Sequence, residues 1–344
     1  MKAARIHAYR QPLTLDEVQM PIARPGEVIV KVAGSGFCHS DLHVIDGELP
    51  VLPRMPLTLG HENAGWVAET GAGVSGVREG DPVVVYGGWG CGRCDYCVTG
   101  HEQLCGAPEW CGLSQWDGGY AEYLRVPHER YLVKLTKLDP VWAAPLADAA
   151  LTPYRAVKKA LPLLEPDHAV LAIGLGGLGQ YGLKLLRLLS GAPIIAVDTS
   201  IEKRRIAYEL GAETVIDGAA PDLVDRINAA THGNGVTAAF DFVGAEHTLD
   251  TAVRATRALG KVFQVGLGGG TARLKVLDNA KFEVGFECTL WGTIKELREV
   301  VALVEDGRLA LGQAETAPLD QINNVYARLK RGDVRGRVII TPSA

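Results

Sequence analysis

The stretch Ala169-Val170-Leu171-Ala172-Ile173 leads directly into Gly174-Leu175-Gly176-Gly177-Leu178-Gly179, and this junction decides the fold of the region around it. The apolar run is typical of a buried strand, and the leucines after the glycines are spaced as on one face of a helix. A G-x-G-x-x-G pattern between a strand and a helix predicts a turn whose backbone approaches the pyrophosphate of a dinucleotide. The predicted contacts in this turn are Gly174, Gly176, Gly177, Leu178 and Gly179.

A second apolar run, residues 194–197, ends at Asp198, which lies about 20 residues beyond the glycines, as such motifs require. A carboxylate at this place can bind the ribose 2′-hydroxyl and repel a 2′-phosphate, so the sequence predicts NAD rather than NADP. Strand-like runs continue at residues 214–217, 238–244 and 261–266, with helical stretches between them. This alternation predicts an α/β fold with a doubly wound parallel sheet.

The chain before residue 150 has a different sequence pattern, in which short strand-like runs alternate with turns rich in glycine and proline. These runs, at residues 28–32, 65–69, 82–86 and 120–126, predict a β-rich, barrel-like domain. Near the C-terminus, the pattern predicts an amphipathic helix over residues 296–304 and a strand over 336–340. We expect that last strand to pair with the first domain.

Four of the seven cysteines form the pattern C-x2-C-x2-C-x7-C, and they are Cys91, Cys94, Cys97 and Cys105. Four thiolates can close a tetrahedral zinc shell with no open position, which predicts a structural zinc site. Reduced cysteines in a loop and an iron–sulfur cluster are the alternatives. Because the chain begins without the apolar run of a signal peptide, clustering of this kind indicates a metal rather than disulfides.

Two further segments concentrate metal-binding side chains. Gly60-His61-Glu62-Asn63-Ala64-Gly65 offers an imidazole beside a carboxylate, and Cys38-His39-Ser40-Asp41-Leu42-His43 adds a thiolate, two imidazoles, a hydroxyl and a carboxylate. Asp148 stands in the apolar stretch 143–154, where an unpaired buried charge is costly. A metal ion would explain this carboxylate, and a helix cap is the alternative.

Composition excludes several classes of partner. A prior of roughly 150 residues per domain predicts two domains. With 35 basic and 40 acidic residues, the chain has a formal charge of −5 and no basic stripe, so we expect neither nucleic acid nor an anionic membrane as a partner. No segment reaches a membrane-spanning length without interruption. We therefore expect a cytoplasmic protein.

The segment Gly60-His61-Glu62-x2-Gly65-x5-Gly71-x2-Val74 resembles the signature of the zinc-containing medium-chain alcohol dehydrogenases, and the cysteine cluster and glycine motif follow in that family's order. The resemblance is closest to bacterial and archaeal NAD-dependent enzymes that act on secondary alcohols and ketones. It implies a Rossmann domain, residues 149–289, inserted in a β-rich GroES-like catalytic domain, residues 1–148 and 290–344. It also implies two zinc ions per subunit and an active site in the cleft.

The same resemblance makes Cys38 and His61 ligands of a catalytic zinc. The third ligand in many relatives is a cysteine at the place that Asp148 occupies here, which is a departure from the commoner form. Aspartate occurs as this ligand in some bacterial members, so we expect Asp148 to be the third ligand, with Cys111 as the fallback.

The catalytic residues are also implied by resemblance. Zinc binds the alcohol oxygen as a Lewis acid, an alkoxide forms, and hydride leaves the carbinol carbon for the nicotinamide. Ser40 is expected to take the proton and His43 to release it to water by way of the cofactor ribose; a loop cap and a surface residue are the ordinary alternatives. Glu62 is expected to be able to enter the fourth zinc position, and Asp41 to orient His61.

The resemblance implies further cofactor contacts outside the glycine motif. They are Lys203 on the adenosine ribose, Arg337 on the pyrophosphate, and Val243, Val265 and Leu267 beside the nicotinamide. For the three apolar residues, core packing is an almost equally good explanation.

Substrate and assembly are the least determined features. Trp89, Trp116 and Trp291 are candidate pocket walls, which favours medium-chain or aromatic, primary and secondary alcohols and the matching ketones over polyols; each tryptophan is as readily core or interface. The alternatives are a zinc-dependent polyol dehydrogenase, a zinc-free quinone reductase that would not need the zinc ligands, and a non-catalytic nucleotide-binding homologue. We expect a homotetramer, with a dimer as the alternative, and residues 272–277 as an interface or edge strand.

Overall fold

The structure is a computed structural model, and it describes residues 1–49, 54–275, 277 and 282–342. The chain forms two compact units. One unit consists of Met1–Leu151 together with Trp291–Ala344, and the other is Thr152–Leu290. The second unit is therefore an insertion within the sequence of the first.

The regular elements of the described residues follow the chain in this order. The strands are β1 (Lys2–Ile6), β2 (Thr14–Glu17), β3 (Val28–Phe37), β4 (Leu57–Thr58), β5 (Glu62–Thr70), β6 (Pro82–Val85), β7 (Gly88–Trp89), β8 (Glu109–Trp110), β9 (Tyr123–Val126), β10 (Leu132–Lys134), β11 (Val170–Ile173), β12 (Ile194–Asp198), β13 (Thr214–Asp217), β14 (Val236–Asp241), β15 (Thr256–Gln264), β16 (Gly285–Cys288), β17 (Ala314–Pro318) and β18 (Arg337–Thr341). The α-helices are α1 (His39–Asp46), α2 (Asp95–Val98), α3 (Pro140–Ala143), α4 (Leu151–Ala160), α5 (Gly177–Leu189), α6 (Ile201–Glu209), α7 (Leu223–Ala230), α8 (Glu246–Ala255), α9 (Ile294–Glu305) and α10 (Ile322–Lys330). A short 3₁₀ turn over Ala144–Ala147 precedes Asp148.

The first unit is built around β3, whose residues are all buried except Lys31. Its main sheet has the order β10-β6-β5-β3-β18-β17, with β9 also paired to β3. Strand β18 pairs antiparallel with β3, which confirms that the C-terminal strand returns to the first domain. Because β3 continues to Phe37, beyond the predicted 28–32, it ends directly at Cys38.

The inserted unit contains a parallel sheet of order β13-β12-β11-β14-β15-β16. The central strand β11 is buried along its whole length, as its continuous apolar sequence requires. The predicted doubly wound sheet is confirmed. Residues 272–275 form no strand with other described residues, so the edge-strand alternative is wrong there, whereas the interface strand stays a prediction; Val276 lies outside the described residues. This segment contains Arg273 and Lys275 between its apolar residues, and no strand among the described residues pairs with it.

Across the described part of the chain, each helix is too short or too polar to cross a membrane.

Candidate zinc centres and nucleotide site

The four-cysteine lobe brings together the sulfur atoms that the sequence pattern selected. The Sγ atoms of Cys91, Cys94, Cys97 and Cys105 all lie within 4.8 Å of one another. Those of Cys91 and Cys97 are 4.0 Å apart, and those of Cys94 and Cys105 are 3.8 Å apart. Thiolates around one tetrahedral zinc, with bonds of about 2.3 Å, have sulfur separations of about 3.8 Å. The lobe therefore fits a single zinc ion.

Zinc binding in this lobe is coupled to the protonation of its thiols. Backbone N–H groups of Arg93 and Cys94 lower the pKa of the Cys91 thiol to about 6. Burial raises the pKa of the Cys97 thiol to about 12. Without a metal the four thiols do not all ionise near neutral pH, so zinc binding must displace protons from the lobe.

A second cluster of ligand atoms is fully buried and comes from distant parts of the sequence. The donor atoms of Cys38, His61, Glu62 and Asp148 lie within 4.8 Å of one another. Cys38 follows β3, and His61 immediately precedes β5, which pairs with β3 in the register that places Gly36 opposite Glu62. Sheet pairing thus brings Cys38 and His61 together, and the turn before Asp148 adds the carboxylate.

The distances within this cluster suit zinc. Asp148 Oδ2 lies 3.5 Å from Cys38 Sγ and 3.5 Å from His61 Nε2. Sulfur, nitrogen and oxygen ligands at the usual zinc bond lengths have mutual separations of about 3.4–3.6 Å in a tetrahedron. Glu62 lies beside the cluster, with Oε1 2.7 Å from a guanidinium nitrogen of Arg337. The three ligand atoms leave a fourth position that a carboxylate or a small molecule can take.

The buried titratable groups of the cluster shift one another's pKa values. Burial alone lowers the pKa of His61, but the nearby carboxylates of Asp41 and Asp148 raise it well above the ordinary value. Burial raises the pKa of Glu62 to about 8, against the opposing charge of Arg337. With the pKa of Glu62 raised, the Asp41 and Asp148 carboxylates face the positive charges of Arg337 and His61, so a metal ion that bound His61 would displace its proton.

Asp41 connects the cluster to a buried tyrosine. Its Oδ1 lies 3.4 Å from His61 Nδ1, and its Oδ2 accepts hydrogen bonds from Cys38 N–H at 2.9 Å and from the Tyr120 hydroxyl at 2.7 Å. Burial and the Asp41 carboxylate raise the pKa of Tyr120 well above the ordinary value, so the hydroxyl remains a donor. Sequence reasoning missed Tyr120, because its partner is 79 residues away.

The predicted relay residues lie on a helix rather than in a loop. Ser40 and His43 belong to α1, for which Cys38 is the N-terminal cap residue. Ser40 Oγ lies 3.8 Å from Cys38 Sγ, and His43 Nδ1 lies 2.9 Å from Glu48 Oε2. Ser40 is thus adjacent to the metal ligands, whereas His43 is paired with a carboxylate near the surface.

The fallback ligand Cys111 belongs neither to the four-cysteine lobe nor to the buried cluster of Cys38, His61, Glu62 and Asp148. Its Sγ accepts a hydrogen bond from Asn63 Nδ2 at 3.4 Å and lies 3.9 Å from the Gly60 carbonyl oxygen. Burial raises the pKa of this thiol to about 12, so Cys111 stays neutral at its place behind His61.

Two tryptophans lie near the buried cluster. The Trp291 ring meets the His61 ring edge-on, with centroids 5.7 Å apart, and the Trp110 ring lies 6.4 Å from Trp291. Of the other predicted pocket residues, Trp89 packs against Trp116. The sequence analysis did not select Trp110, which ends the short strand β8 and directly precedes Cys111.

The glycine motif forms the predicted turn between β11 and α5. Gly174 has a φ of +86°, and a Cβ at Gly179 would lie 1.8 Å from the Gly174 carbonyl oxygen, so both positions require glycine. At Gly176, the residue before α5, a Cβ would meet nothing within 4 Å. Gly177 and Leu178 are the first residues of α5. The N-terminus of this helix therefore adjoins the open space at Gly176, where backbone N–H groups can bind a pyrophosphate.

Asp198 ends β12 beside this turn. Its two carboxylate oxygens accept hydrogen bonds from Leu175 N–H at 2.7 Å and from Ser200 N–H at 2.8 Å. Lys203 lies in the first turn of α6, where its N–H donates to Ser200 Oγ. The carboxylate is therefore fixed at the strand end where a ribose hydroxyl binds in such folds.

The predicted nicotinamide residues follow the neighbouring strands. Val243 comes after β14, and Val265 and Leu267 come after β15. Because β11, β14 and β15 are parallel, these residues lie at the same sheet edge as the glycine turn. Val243 and Val265 are largely buried, whereas Leu267 is 45% exposed. Arg337, the predicted pyrophosphate contact, begins β18 and is buried beside Glu62.

Comparison with known proteins identifies the family. Residues 24–137 match the alcohol dehydrogenase GroES-like domain, and residues 177–306 match the zinc-binding dehydrogenase domain. The chain is 35% identical to an NAD-dependent alcohol dehydrogenase of Sulfurisphaera tokodaii, over 99% of this chain and all of that protein. It is 36% identical to a D-arabinose 1-dehydrogenase (NADP(+)) of Saccharolobus solfataricus, over 99% and 97% of the two chains.

A solved structure agrees over the same length. The alcohol dehydrogenase of the archaeon Aeropyrum pernix superposes with a TM-score of 0.95 at 39% identity, covering 99% of this chain and all of that one. The predicted fold class, a Rossmann sheet inserted in a GroES-like domain, is confirmed, as is the family resemblance. The chain belongs to the zinc-dependent medium-chain alcohol dehydrogenase family of oxidoreductases.

Proposed function

We propose that this alcohol dehydrogenase interconverts medium-chain or aromatic alcohols, primary and secondary, with the matching carbonyl compounds, using NAD and a zinc ion held by Cys38, His61 and Asp148. The observation that carries the proposal is the buried set of donor atoms within 4.8 Å of one another. When bound, zinc supplies a Lewis acid that lowers the pKa of an alcohol, and NAD accepts the hydride. A second zinc in the four-cysteine lobe is structural.

The neighbouring residues keep the ligands in place. Asp41 Oδ1 lies 3.4 Å from His61 Nδ1, on the side of the ring away from Asp148, and its charge would favour the ring orientation that leaves Nε2 free to bind zinc. Glu62 and Arg337 form a buried ion pair beside the open position. Glu62 is close enough to occupy that position when substrate is absent, and Arg337 holds its carboxylate back when substrate is present.

Proton transfer begins at Ser40. Its hydroxyl lies beside Cys38, so Ser40 would accept the proton of a nearby alcohol while its own hydroxyl proton passes through the cofactor ribose toward His43. We place His43 at the outer end of the route, where its contact with Glu48 and its partial exposure allow exchange with water.

NAD is the proposed coenzyme because of the charges near the end of β12. The Asp198 carboxylate is fixed by two backbone N–H groups and would repel a 2′-phosphate. Two cations are close by: Lys203, which we place on the adenosine ribose, and Arg204, whose Nη1 already contacts the carbonyl oxygens of Asp198 and Thr199 and a carboxylate oxygen of Asp217. The site therefore offers a 2′-hydroxyl better partners than it offers a phosphate. Lys203, the glycine turn and the residues Val243, Val265 and Leu267 complete the proposed NAD contacts.

The substrate class follows from the side chains beside the ligands. Trp291 supplies apolar ring surface beside His61, and Trp110 lies against Trp291, which favours apolar substituents on the carbinol carbon. A polyol dehydrogenase is the second candidate, because a D-arabinose dehydrogenase is a relative of similar identity. The sugar would need hydrogen-bonding partners that aromatic rings supply poorly.

The proposal also covers the setting in which the enzyme works. We place it in the cytoplasm, as a homotetramer with two zinc ions in each subunit and small-molecule alcohols and ketones as its partners. The family resemblance supports this assembly, and sedimentation analysis of the purified protein measures it.

The substrate proposal is tested by following NADH absorbance with matched alcohols. A medium-chain secondary alcohol and an aromatic primary alcohol are compared with a pentose and a linear polyol, each with NAD and with NADP. We expect kcat/KM to be highest for the two apolar alcohols with NAD. A clear preference for the pentose or polyol would establish the second candidate instead.

A further inference from the structure

Trp291 opens the C-terminal segment of the first unit in an unusual backbone conformation. Its φ is +49°, a left-handed value that is uncommon for a bulky residue. The side chain is only 6% exposed. Backbone strain of this kind persists when surrounding contacts fix the residue, and it occurs often at functional sites. The contacts of this indole therefore indicate what the conformation serves.

The indole N–H donates a hydrogen bond of 2.8 Å to the carbonyl oxygen of Ala147, a residue 144 positions earlier in the chain. Ala147 is the last residue of the 3₁₀ turn, and Asp148 follows it directly. Carbonyl groups at the end of a helix lack an intrahelical partner, so a side-chain donor there fixes the peptide that precedes the next residue. Trp291 thus fixes the backbone from which the Asp148 carboxylate projects.

The same ring contacts a second zinc ligand. Its edge-on contact with His61 places the imidazole against the indole at 84°. The ring packs closely against the backbone of Gly87, where a Cβ would lie 2.8 Å from it. The Tyr86 hydroxyl donates to the carbonyl oxygen of Gly292 at 2.7 Å and fixes the peptide between Gly292 and Thr293.

We propose that Trp291 is a positioning residue of the catalytic zinc site, which holds Asp148 through the Ala147 carbonyl and His61 through ring contact in the separation that zinc requires. This inference rests on the proposed function, because it assumes that Cys38, His61 and Asp148 bind zinc. Residues outside the ligand shell that orient ligands in this way contribute roughly 10–100-fold to metal affinity. Trp291 would therefore act on zinc retention and not only on the shape of a substrate pocket.

The test is Trp291→Phe, which keeps an aromatic ring and removes the N–H donor. Zinc-depleted wild type and variant are titrated with zinc chloride against a chelating indicator, with the four-cysteine site as the internal reference. We expect affinity at the Cys38 site to fall roughly 10–100-fold, with the four-cysteine affinity and the melting temperature little changed. The control is Trp142→Phe, which makes the same exchange at a tryptophan that is 42% exposed. It should leave the affinity of the Cys38 site unchanged.

A second variant keeps the test decisive if Trp291→Phe folds poorly. Tyr86→Phe removes the hydroxyl that fixes Gly292, and we expect a smaller loss of affinity in the same direction and at the same site. The inference is overturned if wild type binds two zinc ions and the folded variants keep wild-type affinity at both sites. If wild type binds only the four-cysteine zinc, the proposed function itself fails, and the inference fails with it.

Discussion

The two candidate zinc centres lie in the same unit but are assembled in different ways. The four cysteines occur within residues 91–105, and local turns alone bring their sulfur atoms together. The ligands Cys38, His61 and Asp148 span 110 positions and meet only when β3 and β5 pair and the 3₁₀ turn before Asp148 is in place.

The surroundings of the two centres differ as well. Two of the four cysteines, Cys91 and Cys94, are at least partly exposed, and the lobe offers four thiolates and no open position. The ligands of the other centre are all buried, and Asp41, Tyr120 and Arg337 contact them or their neighbours. A closed set of like ligands suits stability, whereas mixed ligands with an open fourth position suit catalysis. The following variants should separate these two roles.

The largest expected effect is on catalysis, from Cys38→Ser. Losing the thiolate weakens zinc binding at the buried centre and removes the Lewis acid, so NAD-linked alcohol oxidation should fall by roughly 10³-fold or more. Elemental analysis should find the four-cysteine zinc still bound and the melting temperature little changed. Comparable activity in the purified variant would show that Cys38 is not a ligand.

The reciprocal variant is Cys97→Ser in the lobe. We expect loss of one zinc and a fall in the free energy of unfolding of about 3–5 kcal/mol, as for other losses of a structural metal. Denaturant unfolding measures this change, with the exposed Cys288→Ser as the control, expected within about 0.5 kcal/mol of wild type. An unchanged unfolding free energy in Cys97→Ser would mean that the lobe holds no structural zinc.

A smaller effect is expected from Asp41→Asn, which keeps the shape of the side chain and removes its charge. Zinc affinity at the buried centre, and activity with it, should fall roughly 10–100-fold because His61 is oriented less well. Tyr120→Phe, which removes only the donor to Asp41, should give a weaker effect in the same direction. Equal losses at both zinc sites would indicate general destabilisation instead of a role at His61.

The smallest effect is expected from Cys111→Ser. This residue packs against Asn63 and Gly60 rather than with the ligands, so the variant should keep both zinc ions and most of its activity. Replacing a buried thiol by a hydroxyl should cost about 1–2 kcal/mol of stability. If Cys111→Ser lost only the catalytic zinc, Cys111 would have to be a ligand of that zinc.

The comparison also explains how much the sequence could predict. The cysteine spacing and the glycine motif between strand and helix are local patterns, so the lobe and the Rossmann sheet could be predicted from residue order. The family resemblance supplied Cys38, His61 and Asp148 as ligands, which composition and spacing alone left open. Tyr120, Trp110 and the contact of Trp291 with Ala147 could not be predicted, because each depends on residues brought together by long-range packing.

The strands also show that local patterns could be predicted from sequence, whereas features that depend on long-range pairing could not. Strand β13 agrees with its predicted range of residues 214–217, whereas β3 runs five residues beyond its prediction, to Phe37. The glycines at 34 and 36 weaken the strand signal, but pairing with β5 and β18 on either side extends the strand. That extension places Cys38 beside the other ligands.

The most direct test of the central claim is zinc per subunit in wild type, Asp148→Ala and Asp148→Cys, with NAD-linked alcohol oxidation measured on the same samples. The proposed site predicts two zinc ions in wild type, one zinc and loss of activity in Asp148→Ala, and recovery of the second zinc in Asp148→Cys, because a thiolate is also a zinc ligand. If Asp148→Ala keeps two zinc ions and full activity, Asp148 is not the third ligand and the proposed catalytic centre is wrong.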